Sequence, residues 1–170
     1  MKPLISILSL FLVFNSIQSQ NCKLQSKTDD FNKTTLVQTS LSTIYNWFVK
    51  IESGFMKVDS FFLIKFEVTY SEHKSKIINK ESKVQILLEN SSILELNPIK
   101  EASGDFTQVG SSSLTIIKFQ CILTKNQLEQ LSKEPIKKIR INYYNSPEDF
   151  EIKEKSRKKL AEPAKCILGA

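Results

Sequence analysis

Ten consecutive residues, FFLIKFEVTY at 61–70, limit the possible folds more than any other stretch. Phe62, Ile64, Phe66, Val68 and Tyr70 share one side of a period-two repeat, with Lys65, Glu67 and Thr69 on the other. Side chains alternate across a strand, so the segment predicts a strand with one dry face and one wet face. The dry face needs an apolar layer opposite it, and antiparallel neighbours with the same patterning are its ordinary company.

Those neighbours are present. LTIIKFQCIL at 114–123 puts Ile117, Phe119, Cys121 and Leu123 on one face, with Ile116, Lys118, Gln120 and Ile122 on the other. KVQILLENSSILELNP reads as a hairpin: Val84, Ile86 and Leu88 go out, the chain turns near Asn90–Ser91, and Leu94 and Leu96 return. Asn at that turn tolerates a left-handed backbone better than most residues. TTLVQTSL at 34–41 is a looser strand. TIYNWFVKI at 43–51 predicts one strand with Tyr45, Trp47, Val49 and Ile51 on a common face. IKEASGDFTQVGSSS reads as a loop with room for an edge strand.

The period changes at LTKNQLEQLSKEP. Thr124 is placed to cap a helix, and Gln127 returns the bond to the cap. Leu128 and Leu131 share a face, and the helix stops before Pro135. PIKKIRINYY resumes alternation: Ile139, Ile141 and Tyr143 inward; Lys138, Arg140, Asn142 and Tyr144 outward. NSPEDF turns the chain, and Phe150 and Ile152 alternate in the return strand. Leu160, Ala164, Ile167 and Leu168 fall at helical spacing near the end, with Pro163 kinking or restarting that helix. The expected fold is mainly β: an antiparallel sandwich or strongly curved sheet of about seven or eight strands, one short helix and a C-terminal helix packed on it. An α+β arrangement is the alternative.

The first nineteen residues read differently. Lys2 precedes an apolar-and-serine run over residues 4–14, and small or polar residues follow. That is the layout of a secretory signal peptide with a cut after Ser19. At about 16 Å of helix, the run is too short for a permanent membrane span. A cut just before Cys22, leaving a lipidated cysteine, is disfavoured because Asn21 is not small. Residues 20–170 would then form a single soluble domain of 151 residues with no membrane-spanning segment. With only 4 Gly and 5 Pro, the chain is neither fibrous nor low-complexity.

There are three cysteines. Cys121 sits on an apolar strand face and reads as a small buried hydrophobe. Cys22 and Cys166 lie near the two ends of the exported chain, where a disulfide would tie both down. On the chain-entropy model so long a loop is worth up to ~5 kcal/mol.

A resemblance joins several of these features. Cys22–Lys23, the hairpin over 84–96, LTKNQLEQL, IKKIRI and the closing KCIL resemble a group of small secreted proteins of Bacteroidetes bacteria, over roughly residues 22–168. A glycine would be expected at the hairpin turn, where this chain has Asn90–Ser91. The resemblance implies a periplasmic or exported setting. It transfers no catalytic or binding residue.

No chemistry-bearing motif stands out: there is no G-x-S-x-G, H-E-x-x-H, Walker loop or G-x-G-x-x-G. His73, the one histidine, lies in a polar loop and reads as solvated. Asp29–Asp30 and Glu148–Asp149 lack the spacing and glycine of a calcium loop and read as turn residues. Sequons stand at Asn32 and Asn90. Trp47, Phe48, Phe61 and Phe62 are assigned to the core, with a partner or glycan platform of Tyr45 and Trp47 as the alternative.

Charge is uneven. The chain carries +6 overall, and residues 133–170 hold ten basic against six acidic side chains. Lys138 and Arg140 read as a wet strand face. With Arg157, Lys158 and Lys159 nearby they would extend into a cationic patch for an anionic lipid head group, a polysaccharide or an envelope protein. An exported chain rarely meets nucleic acid, which is set aside. The functional expectation is a soluble, non-enzymatic binding or structural module in the periplasm or at the cell surface, without catalytic residues, metal or cofactor. The alternatives are a hydrolase assembled from distant residues and a carrier of an apolar ligand.

Overall fold

The computed structural model describes residues 22–29, 33–110 and 112–170. The expected leader over residues 1–19, Asn21, Asp30 and Asn32 lie outside the described residues. Thirteen strands, several very short, build a mainly β architecture among the described residues. They are β1 Leu24–Thr28, β2 Thr35–Thr39, β3 Ser42–Asn46, β4 Val49–Val58, β5 Phe61–Tyr70, β6 Ile77–Ile78 and β7 Val84–Leu88. Then come β8 Ile93–Leu96, β9 Ala102–Ser103, β10 Asp105–Val109 and β11 Ser112–Leu123. Helix α1 Lys125–Lys133 leads into β12 Ile136–Asn142 and β13 Pro147–Glu151. A 3-10 turn, Glu154–Ser156, precedes α2 Ala161–Leu168.

A curled antiparallel sheet runs β1-β2-β4-β5-β11-β10, with β3 also on β4. A second sheet runs β13-β12-β7-β8, and β6 pairs with β9. The alternation read at 61–70 holds: Ile64, Phe66, Val68 and Tyr70 are buried. So does that of Ile117, Phe119, Cys121 and Leu123, and of Val84, Ile86, Leu88, Leu94 and Leu96. These faces join Leu128 and Leu131 of α1, Ile139 and Ile141 of β12, and Ala164 and Ile167 of α2 in one buried cluster.

Local signals set the boundaries. Thr124 accepts from the Gln127 backbone N–H, and the Gln127 side chain accepts from the Thr124 N–H, closing the expected capping box. Pro163 falls in the first turn of α2, where its missing N–H has no helical acceptor to lose. At the 88–92 turn the left-handed residue is Ser91, at φ 67°, rather than Asn90. Asn90 instead accepts the Ser92 N–H on its Oδ1 at 3.0 Å, bracing the turn from the side.

The stretch expected as a single strand over 43–51 is a hairpin. β3 and β4 pair antiparallel, Tyr45 opposite Ile51 and Asn46 opposite Lys50, and the chain reverses at Trp47–Phe48. A bulge between Thr43 and Tyr45 shifts the register. β2 and β3 occupy the same edge of β4 end to end, pairing with Gln38–Met56 partners and Ser42–Ser53 partners respectively. The corner between them crosses β4 at Gly54, where a Cβ would sit 2.9 Å from the Ser40 carbonyl oxygen. Thr39 Oγ1 accepts the Phe55 N–H at 2.9 Å in place of a backbone partner.

Candidate anion-binding site

The basic residues picked out in the sequence divide into two kinds. On β12, Arg140 lies opposite Asp149 of β13 and donates to both its oxygens, Nε at 2.5 Å and Nη2 at 2.7 Å. This bidentate pair holds the Asp149 carboxyl below its ordinary range. Lys138 lies opposite Glu151 and pairs with it at 3.3 Å, and with Asp149 at 3.7 Å. Arg157 reaches Glu89 at 3.0 Å and donates from Nε to the Ile152 carbonyl. The three are partnered by carboxylates.

Lys158 and Lys159 are exposed, and they belong with two lysines that the sequence reading passed over, Lys153 and Lys155. Ile152, Ser156 and Leu160 are buried, so they pin the 152–160 segment at four-residue intervals. The intervening lysines are forced outward. Successive turns are closed by Ser156 N–H to Lys153 O, Arg157 N–H to Glu154 O and Lys159 N–H to Ser156 O. Among the described residues no carboxylate lies within 4.0 Å of Lys153, Lys155, Lys158 or Lys159.

Between this segment and β3 lies a hollow of about 290 Å³ lined by Thr43, Ile44, Tyr45, Asn46, Lys153, Lys155, Ser156 and Lys159. Lys159 Nζ donates to the Thr43 carbonyl at 2.7 Å. β3 pairs only with β4 among the described residues, so this lysine also blocks part of an open strand edge. Lys153 Nζ stands 4.7 Å from the centre of the Trp47 ring. A hollow of similar size, about 300 Å³, contains Lys65, Lys100 and Lys118, but also Glu67, which pairs with Lys118 at 3.4 Å. The residues lining the β3 hollow bring three ammonium groups, one amide and three hydroxyls, and no carboxylate. Strongly hydrated point charges with rotatable donors suit phosphate, sulfate or carboxylate oxygens.

The aromatic residues correct the core assignment. Trp47 is 62% exposed, Phe48 80% and Phe61 66%. Trp47 and Phe48 lie at a hairpin tip beyond the last β3–β4 pair, and Phe61 occupies the last β4–β5 pair, opposite Val58. Phe62 packs against the core, and the Tyr45 ring meets Phe150 edge-on at 5.3 Å. Trp47 and Phe48 form an edge-to-face pair at 5.7 Å.

A second polar cluster gathers around two buried tyrosines. The Tyr70 hydroxyl donates to Glu148 Oε2 at 2.6 Å and lies 3.0 Å from the Tyr143 hydroxyl. Lys76 pairs with Glu148 at 2.5 Å, reaches Ser146 Oγ at 3.2 Å and sits over the Tyr143 ring. Burial pushes both phenols well above their ordinary value. No buried side-chain nitrogen or oxygen among the described residues lacks a partner. The network fastens the start of β13 to the end of β5, so Glu148 is a structural strand residue rather than a turn residue. His73 is exposed and meets the Phe106 ring edge-on at 5.0 Å.

Cys22 and Cys166 are joined, with Cα atoms 5.6 Å apart, as expected. Cys121 is free and buried, and burial pushes its thiol up to about 12. Among the described residues no group of three His, Cys, Asp or Glu side chains is placed to hold a metal ion. No helix among them is long and apolar enough to cross a membrane. Comparison with family models, curated proteins and solved structures gives no match.

Proposed function

We propose that the protein is an exported, non-enzymatic binding module of the periplasm or cell surface, and that its ligand is an anion held in the β3 hollow. One observation carries the reading: four lysines without a carboxylate partner gather at or beside a concave site. Like charges left together in a folded protein repel one another, and an anion relieves that repulsion. Export is supported by the leader-like residues 1–19, by the Cys22–Cys166 bond and by the resemblance to secreted Bacteroidetes proteins. A hydrolase finds less support, because His73 faces an aromatic ring rather than a nucleophile.

Calorimetric titration with inorganic pyrophosphate tests the site. Saturable binding that is lost in the Lys155→Glu, Lys159→Glu double variant is the expected result. Equal affinity in the two proteins would refute the assignment. Export has its own test in the intact mass of the secreted chain. The expected mass lacks residues 1–19, and a single thiol, Cys121, takes label only after unfolding. Three labelled thiols or a retained leader would overturn it.

A further inference from the structure

The hollow accounts for Lys153, Lys155 and Lys159 but not for the rings beside it. Trp47 and Phe48 form the tip of the β3–β4 hairpin, directly preceding Val49. Val49 pairs with Tyr70, Tyr70 with Thr115, and Thr115 with Phe106, which is 51% exposed. Tyr70 also reaches Tyr143, whose neighbour Tyr144 is 73% exposed. The end of the molecule that carries Trp47 and Phe48 therefore also carries Phe106 and Tyr144, and Lys153, at the Trp47 ring, belongs to a group of lysines that pair with no carboxylate.

Resting on the anion-binding reading, we infer that this end docks on an anionic phospholipid membrane. Trp47 and Phe48 enter the head-group layer, and Lys153, Lys155, Lys158 and Lys159 engage lipid phosphates. Aromatic rings with a polar edge settle at that depth, and interfacial binding combines apolar insertion with attraction to anionic head groups. A soluble polyanion would use the lysines and leave the rings in water. A sugar would stack on an open ring face, and Lys153 stands over one face of Trp47.

Trp47 is the only tryptophan of the chain, so its emission reports the tip alone. The test mixes the folded protein with phosphatidylcholine vesicles, with and without about a third phosphatidylglycerol. Expected are cosedimentation with the anionic vesicles only, a blue shift of Trp47 emission, and quenching by brominated acyl chains. Phe48→Ser should lower partition about tenfold at unchanged melting temperature, because a ring leaves the interface. Lys155→Glu with Lys159→Glu should lower it by about 25-fold or more, at roughly fivefold per lysine near the surface. Pyrophosphate binding without any vesicle response overturns the membrane inference and leaves the anion site standing. Vesicle binding without a Trp47 shift also overturns it, as does a shift with dextran sulfate and none with vesicles. Absence of both pyrophosphate and vesicle binding removes the inference and the anion site together.

Discussion

Lys138 and Arg140 on β12 carry the same charge as Lys153, Lys155, Lys158 and Lys159 beyond β13, in opposite circumstances. The first pair stands in an antiparallel ladder, where register sets Glu151 and Asp149 directly across. Cross-strand opposites at that spacing neutralise one another as a by-product of sheet formation. The second group stands on a tight turn and the segment before α2, where no strand lies opposite to supply acids. Its backbone is pinned by three buried residues, and its side chains face water and a hollow. Charge density along a chain is therefore a poor guide to charge available for a partner. What counts is whether the local structure brings an acid alongside.

The largest effect separates stability from binding. Ile139 is fully buried beneath the matched face, so Ile139→Ala should cost about 2–5 kcal/mol of unfolding free energy in a urea titration. Lys155→Ala and Lys159→Ala should stay within about 0.5 kcal/mol of the parent protein. A lysine variant as damaging as the core variant would break the comparison.

Next comes ligand binding. The Lys155→Glu, Lys159→Glu protein should lose on the order of tenfold or more in pyrophosphate affinity at low salt, and raised salt should narrow the gap. Neutralising the matched face with Lys138→Gln and Arg140→Gln should leave that affinity nearly unchanged. A comparable loss from both pairs would mean that register does not decide which charges are free.

The Tyr70–Tyr143 network sharpens the contrast in the alkaline range, because its two phenols are buried and matched to their partners. Both phenols are raised in the folded protein, so their contribution is complete below the ordinary tyrosine value of about 10 and is lost as pH climbs above it. Urea midpoints should fall above that pH. Of the 4 tyrosines, Tyr70 and Tyr143 should ionise in ultraviolet absorbance only on unfolding. Ionisation of all four in the folded state would show the network to be open to water.

The smallest effect belongs to the Arg140–Asp149 pair, which lies near the surface. Asp149 is lowered in the folded protein, so its contribution is present above the ordinary carboxylate value of about 3.9 and is lost as pH falls through the lower folded one. The acid limb of melting temperature against pH should be slightly flatter in Asp149→Asn. An identical limb would place this pair among surface ion pairs of no measurable worth.

Much of the fold was legible along the chain, and less of the site. Lys158 and Lys159 were visible as basic residues, yet Lys153 and Lys155 passed unnoticed because Phe150 and Ile152 read as a strand. The usable signal was the spacing of Ile152, Ser156 and Leu160, which leaves only lysines, Glu154 and Arg157 to face outward. The exposed rings of Trp47 and Phe48 looked like core because alternation does not announce where a strand turns back.

By itself the sequence determined which residues of 61–70, 84–96 and 114–123 face inward, how α1 is capped, and that Cys121 is the buried thiol. Each of these depends on the backbone period or on neighbours three or four residues away. The tertiary structure alone decided that Arg140 meets Asp149, that Tyr70 meets Tyr143 and Glu148, and that Lys159 reaches β3. Those pairings join residues brought together by sheet register and by the docking of separate elements, and local periodicity holds no record of either.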